Sequence, residues 1–380
     1  MTRSLNKALL PAGLRDVLPP NASHEAAVVD RLLAGFASHG YGRVKPPLIE
    51  FEESLLSGAG AATASQTFRL MDPVSQRMMG LRADITVQVA RIATTRLKGA
   101  PRPLRLSYAG EVLRVSGSQL RPERQFGQVG IELIGPAVPA ADAEAVLLAA
   151  EALSAVGIES LSIDLNAPSL VPALCAELKL GAEAAEDLRM ALDRKDAAQV
   201  AAAGGDTARL LGALLATAGP ARRSLEALDK LDLPEKAAAE AGCLARVVDL
   251  VLAAAPELKL TIDPVESRGF EYHTGVGFTL FALGVRGELG RGGRYRTDGQ
   301  GEPATGFTLF MDTVMRALPE PEPGRALFLP WGTPADDGRR LRAEGWVTVS
   351  GLEEAGDPSA EARRIGCTHA YIAGAITPVE

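Results

Sequence analysis

What this sequence has little of already removes several classes of function. It carries only 3 cysteines in 380 residues, and Cys175, Cys243 and Cys367 stand far apart. Neither a disulfide framework nor a cysteine-based zinc site is expected, no metal centre is anticipated, and a reducing cytoplasm fits. Positive charge is also short. A net charge of -7 gives no electrostatic footprint for non-specific binding to nucleic acid or membrane, so neither is expected as a partner. No apolar run reaches the 18 or so residues of a membrane span. The first residues, MTRSLNKALLPAG, are broken by Asn6, Lys7 and Pro11 before an export-length apolar core develops, so no targeting segment is expected. Gly287, Gly290, Gly292 and Gly293 form a glycine-rich turn, but the Walker A lysine and the strict dinucleotide fingerprint are missing, and no cofactor is expected. What is abundant is hydrophobic residues, 47% of the chain, enough for a large core and two or three domains.

The most informative stretch is LRLSYAGEVLRVSGSQLRPERQFGQVGIELIG, from Leu104 to Gly135. Apolar residues recur at every second position on both sides of Ser116 to Glu123, which predicts two strands joined by a long, arginine-rich loop. In the second strand Val129, Ile131 and Leu133 share one face, while Arg124, Phe126, Gln128, Gly130 and Glu132 share the other. A solvated face is the plain reading of that second set. Gly130 favours a ligand instead, because an interior strand glycine often marks close approach to the backbone. Gln128 and Glu132 lie about 13 Å apart along such a strand, so their side chains could converge on a small polar molecule, with Arg114 supplying fixed positive charge for a carboxylate or phosphate.

Before the hairpin, Asn21 or Ser23 is expected to cap a helix that carries Val28, Val29, Leu32, Leu33 and Phe36 on one face and ends at Gly40. An extended segment follows, since the residue before each of Pro46 and Pro47 is pushed out of the helical region. Gly80 to Thr86 leads into an amphipathic helix with Ile85, Val89 and Ile92, which Asp84 could cap. After the hairpin, residues 166–259 read as a helical insertion rich in alanine, leucine and glutamate, with no convergent catalytic set. Sheet texture resumes near Leu258, and Ser267 to Gly275 leads into an alternating strand from Val276 to Ala282. The proline-spaced linker Leu318 to Gly324 precedes two helices alternating with strand-like ALFLP, WVTVS and HAYIA. The expected division is a main domain over 1–318, insertion included, and a small α/β unit over 325–380.

Arg114, then Arg124-Gln125-Phe126 ten residues later, then Gln128, Gly130 and Glu132, resemble motif 2 of the class II aminoacyl-tRNA synthetases in its histidyl form. Gly40, Tyr41, Pro47 and Glu50 resemble motif 1, that family's dimer element. Asp84 and Thr86 fall where the family supplies an acid and a threonine to the histidine amino group, with aspartate in place of glutamate. Arg268, Glu271, Tyr272, Thr274 and Gly275 match its second histidine-specific motif, His273 standing where a second tyrosine is found. The resemblance implies an α+β fold, a class II antiparallel sheet flanked by helices. It also implies a histidine pocket in which Asp84 and Thr86 take the amino group, Arg114 or Arg268 the carboxylate and Glu132 an imidazole N–H, with Gln128 bridging and Tyr272 and His273 beside the ring.

Departures from the resemblance point to function. Phe310 and Thr313 stand where the synthetases carry a glycine and the arginine that holds the ATP γ-phosphate, and Ser116 replaces an adenine-contacting glutamate. Phenylalanine and threonine make no phosphate clamp. The tail is shorter than an anticodon-binding domain and gathers no basic patch. This combination resembles the synthetase-like regulatory family that partners the short catalytic subunit of ATP phosphoribosyltransferase. Membership implies a chain without its own catalysis, a homodimer through residues 28–50, a hetero-oligomer of hetero-octameric form with the catalytic subunit, and histidine as effector, bound in the pocket or at the subunit interface. An active histidyl-tRNA synthetase with a degenerate tail is the alternative, and a stand-alone amino-acid sensor or ligase a third.

Overall fold

The computed structural model describes residues 9–118, 121–267, 269, 272–321 and 324–379. The chain divides into two compact units, one through Pro319 and one from Glu320.

Twelve strands lie in the first unit among the described residues: β1 (Gly42–Arg43), β2 (Ile49–Phe51), β3 (Arg69–Met71), β4 (Met78–Leu81), β5 (Leu104–Leu113), β6 (Gln125–Ile134), β7 (Leu161–Asn166), β8 (Gly219–Pro220), β9 (Lys259–Ile262), β10 (His273–Ala282), β11 (Gly290–Arg296) and β12 (Pro303–Phe310). The large sheet runs β1-β5-β6-β12-β11-β10-β7-β9-β8, and β2-β4-β3 form a small one. From β5 to β7 the large sheet is antiparallel throughout; β1 and β9 flank this stretch in parallel, and β8 lies antiparallel beyond β9.

Period-2 alternation gives the large sheet two apolar faces. Val129, Ile131 and Leu133 pack with Val28, Leu32 and Phe36 of the helix α1 (Asn21–Ser38) and with Val146, Ala149 and Leu153 of the helix Pro139–Val156. The small side chains of this alanine-rich helix permit close approach to the sheet. Its proline sits in the first turn, where the N–H is not needed, and Gly157 stops it at φ 105°, a left-handed conformation that glycine adopts without strain. On the opposite face the helix Thr86–Thr94 sets Val89 and Ala93 beside Ile85, Tyr108, Val112, Phe126 and Phe310. Neither Asn21 nor Ser23 caps α1. The cap position falls on Pro20, with no side-chain cap bond, because the fixed φ of Pro20 already directs the chain into the helix and its carbonyl accepts from the His24 N–H.

The insertion carries helices from Leu170–Glu177 to Glu235–Ala254, but its Gly219–Pro220 break forms β8, a short edge strand on β9. In the second unit, β13 (Ala326–Leu329), β14 (Val347–Ser350), β15 (His369–Ile372) and β16 (Ala375–Pro378) assemble in the order β14-β13-β15-β16, with helices Ala335–Ala343 and Pro358–Arg364. The last strand, antiparallel to β15, had no counterpart in the sequence reading. Among the described residues no helix is long and apolar enough to cross a membrane.

Candidate functional site: a polar cavity beside an arginine–phenylalanine cluster

Strand register builds the site. Tyr108, Gly130, Thr308 and Arg291 stand directly opposite one another on β5, β6, β12 and β11. Glu132 faces Gly306 in the same way. The space over Gly130 is occupied: a Cβ there would come within 2.6 Å of the Tyr108 hydroxyl. That hydroxyl is 2.6 Å from Thr308 Oγ1 and 3.2 Å from Thr86 Oγ1. The gap expected to admit a ligand to the backbone therefore holds a tyrosine from the neighbouring strand. Strand periodicity within one segment carries no information about such a cross-strand neighbour.

Next to this hydroxyl cluster lies a cavity of about 240 Å³. It gathers Asp84, Thr86, Arg114, Glu132, Tyr272 and His273 from the sequence reading and adds Arg291, Tyr295 and Thr308. Gln128 is not at its surface. Fully buried, Gln128 donates from Nε2 to Asp84 Oδ2 at 2.9 Å and accepts the Ile85 N–H at 3.0 Å, so it anchors the start of the Thr86–Thr94 helix. Asp84 lies two residues before that helix and accepts the Thr86 N–H at 2.8 Å. The cap position falls on Ile85 and not on Asp84, because the chain is already helical at Ile85; the bond from the Thr86 N–H still leaves each Asp84 carboxylate oxygen able to accept from a ligand. Arg268 and its neighbour Glu271 lie outside the described residues. His273 stacks on Tyr272, ring centroids 4.1 Å apart, and pairs with Tyr295 across β10 and β11. Its edge fits against Gly293, where a Cβ would come within 2.6 Å of the imidazole.

Two buried ionisable groups, Arg114 and Glu132, stand out in the cavity. Arg114 is largely buried, which lowers its pKa, yet guanidinium stays protonated. Its Nε donates to the Ala83 carbonyl at 3.4 Å and its guanidinium lies 5.1 Å from the Phe126 ring centre. No carboxylate among the described residues pairs with it. A ligand carboxylate would complete it. Glu132, 1% exposed, has its carboxyl pushed up to about 8 by burial, with Tyr295 Oη donating to Oε2 at 2.9 Å. At neutral pH it is an acid, able to donate one hydrogen bond and accept others. Arg291 and Thr308 escaped the sequence reading because register across distant strands, not a local pattern, brings them here. Tyr295 stood in the glycine-rich GGRY run, a signal that could have found it.

At the position expected to lack a phosphate clamp, the Arg121 guanidinium lies 3.8 Å from the centre of the Phe310 ring and 5.0 Å from that of Phe126. The two rings meet edge to face at 6.0 Å. Arg121 also donates to Asp312 Oδ2 at 3.2 Å and stands 3.8 Å from Glu288. Thr313 is buried, with its hydroxyl held by Asp312 and Arg316. The chain's own side chains thus fill this place, and the cation there is already neutralised by Asp312 and Glu288.

Residues 13–314 match the family model described as histidyl-tRNA synthetase. An ATP phosphoribosyltransferase regulatory subunit from Paramagnetospirillum magneticum is 63% identical over 380 residues, covering 100% of both chains. The chain belongs to this regulatory-subunit family. Its fold is that of an ATP phosphoribosyltransferase regulatory subunit/histidyl-tRNA synthetase from Bacillus halodurans, at TM-score 0.82 and 24% identity over 93% of this chain and 96% of that one. A chain of the ATP phosphoribosyl transferase (HisG:HisZ) complex from Thermotoga maritima aligns at TM-score 0.60 and 19% identity, over 76% and 97%.

Proposed function

We propose that this chain is the regulatory, non-catalytic subunit of a hetero-oligomeric ATP phosphoribosyltransferase, the first enzyme of histidine biosynthesis. It activates a short catalytic partner and conveys histidine inhibition to it. The observation that carries this reading is the Arg121–Phe310–Phe126 cluster: an aromatic ring and an internally neutralised arginine occupy the place where adenylate formation needs phosphate ligands. The purified chain is expected to show no histidine-dependent exchange of pyrophosphate into ATP and no charging of tRNA. Exchange at a synthetase-like rate would restore the alternative, an active histidyl-tRNA synthetase.

Histidine fits the cavity by its charges. Asp84 and Thr86 take the ammonium, Arg114 the carboxylate, and Glu132 a ring nitrogen, with Tyr272 and His273 beside the imidazole. Inhibition requires that histidine distinguish two states of the assembly, with a coupling of about 1–3 kcal/mol. An effector site at the interface with the catalytic subunit is the competing location.

Assembly follows from symmetry. A two-fold homodimer through residues 28–50 is supported by β1, which pairs on one side only, and by exposed Leu48. The dimers combine with catalytic subunits into a hetero-octamer. Light scattering of the isolated chain should give twice the monomer mass; a monomer at all concentrations contradicts the interface.

A further inference from the structure

The four-stranded sheet of the second unit has two open edges, β14 and β16. An open edge invites pairing with another chain, and proteins blunt it with proline, charge or a covering element. β16 carries such a device in Pro378, which has no N–H to donate. β14 carries neither proline nor charge. Its residues are Val347, Thr348, Val349 and Ser350, and the two valines are 60% and 37% exposed. Register sets both on the face of Ala326 and Phe328. The helix on that face, Pro358–Arg364, packs Ala362 with Phe328 and Ala370 and leaves both valines outside the buried cluster. Leu352 and Trp331, the latter with its backbone against Gly351, are exposed as well.

Backbone direction fixes what this edge can accept. The Val347 N–H donates to the Arg325 carbonyl at 3.1 Å and the Gly351 N–H to the Leu329 carbonyl at 2.7 Å. Backbone groups alternate in direction along a strand, so Thr348 and Ser350 turn their N–H and C=O away from β13. A second β14 running antiparallel meets them in one register: Thr348 against Ser350 of the second copy, with Val349 on the two-fold axis against its own counterpart. Each Thr348–Ser350 pair exchanges two hydrogen bonds. Charge is arranged for the same pairing. At the start of β14 stand Arg325 and Arg342, the latter donating to the Thr348 hydroxyl at 2.8 Å; just past its end come Glu353 and Glu354. All four are exposed, and the ion pairs of this unit among the described residues include none of them. Glu344, the acid nearest the start, is taken up by Arg340. An antiparallel two-fold lays the basic end of one strand beside the acidic end of the other.

We propose that the second unit is a self-association element, in which β14 pairs antiparallel with β14 of a second copy of this chain about a two-fold axis at Val349. The pairing joins two four-stranded sheets into one and covers the exposed valines. Two four-residue strands make a contact far smaller than the roughly 1,600 Å² of a stable interface. It therefore reinforces an assembly held together elsewhere and leaves the mass of the dilute isolated chain to the larger interface. The inference rests neither on the reading of the pocket nor on the catalytic partner.

Disulfide trapping in the full-length chain tests the register. Opposed Val349 residues form a non-hydrogen-bonded pair with Cα atoms about 4.5 Å apart, a spacing that a disulfide accepts. Val347 would face Gly351 of the second copy instead. Random collision favours a cysteine at 347, the more exposed position; the pairing favours one at 349. Under a mild oxidant, with the parent chain and its Cys175, Cys243 and Cys367 as background, Val349→Cys should form covalent dimer roughly ten-fold faster than Val347→Cys or more. Adding Ser350→Pro removes an outward N–H and spares the Gly351 bond to β13, so it should slow the 349 cross-link to the collision rate. Reversing the acidic end with Glu353→Lys and Glu354→Lys, which leaves the backbone alone, should slow it at low salt as well. Melting transitions of the variants should match that of the parent chain. Equal rates at 347 and 349, or a 349 cross-link indifferent to both Ser350→Pro and charge reversal, overturns the pairing. Loss of the 349 cross-link on adding the catalytic subunit assigns the edge to that partner and overturns self-association; its persistence in the complex upholds it.

Discussion

A Glu132→Ala subunit assembled with its catalytic partner is expected to need roughly ten- to a hundred-fold more histidine for half-inhibition, while activating the partner as fully as the unsubstituted chain. The size follows from leaving a buried ligand group without its hydrogen-bonding partner, about 1–3 kcal/mol. Selectivity follows from burial: Glu132 is 1% exposed and touches no outer surface. Unchanged inhibition would reject the pocket as the sensor and move the effector site to the subunit interface. Glu132→Gln isolates the proton. Because burial raises the folded carboxyl to about 8 from an ordinary 4.5, the folded chain holds a proton that the unfolded chain has lost between those values. Stability therefore falls as pH rises through that window, by on the order of 4 kcal/mol from this group. Glutamine keeps an oxygen for the Tyr295 hydroxyl and has nothing to ionise. Denaturation midpoints at pH 5 and pH 8 should thus differ less in the variant, and equal pH slopes in both chains would place the Glu132 pKa near its ordinary value.

The same residues mark where the sequence was readable. Alternation around Ser116 to Glu123 gave both hairpin strands and their faces, since each side chain's side is fixed by its own segment's pleat: Val129, Ile131 and Leu133 entered the helix-covered core, while Gln128 and Glu132 turned to the site face. Position within a face was not legible. Tyr108 lies 22 residues before Gly130 and Arg291 far beyond it, yet register sets all three in one row across the sheet, with Thr308 between Gly130 and Arg291. Gln128, expected to bridge to a ligand, is instead consumed by the Ile85 N–H and by Asp84. No local pattern distinguishes an amide that touches ligand from one that positions the acid touching it. Phe310 and Thr313 were legible as departures from the synthetase pattern. The packing of Arg121 on Phe310 was not, because Arg121 reaches Phe310 and Asp312 only across the fold.

Below the pocket, on the sheet's other face, β11 is fastened by one buried charge pair, and cutting it is expected to destabilise the chain by about 3–5 kcal/mol. Asp142, in the first turn of the Pro139–Val156 helix, accepts from Arg294 Nε at 3.1 Å and from the Thr305 hydroxyl at 2.8 Å, and its second oxygen pairs with the same guanidinium. Both charged residues are buried, and burial outweighs Arg294 in holding the Asp142 carboxyl above its ordinary value. Alanine at 142 leaves a guanidinium without its counter-ion in a low-dielectric site, which accounts for the size of the loss. Position gives the pair its functional weight. Arg294 stands between Gly293 and Tyr295, which line the pocket, so a loosened β11 displaces the donor to Glu132 and the glycine against which His273 fits. Asp142→Ala should lower the urea midpoint sharply and weaken histidine binding together. Replacing both partners, Asp142→Leu with Arg294→Met, removes the stranded charge and should recover most of the stability. A single variant within about 1 kcal/mol of the parent chain would show that water reaches the pair, and that packing rather than charge holds β11 in place.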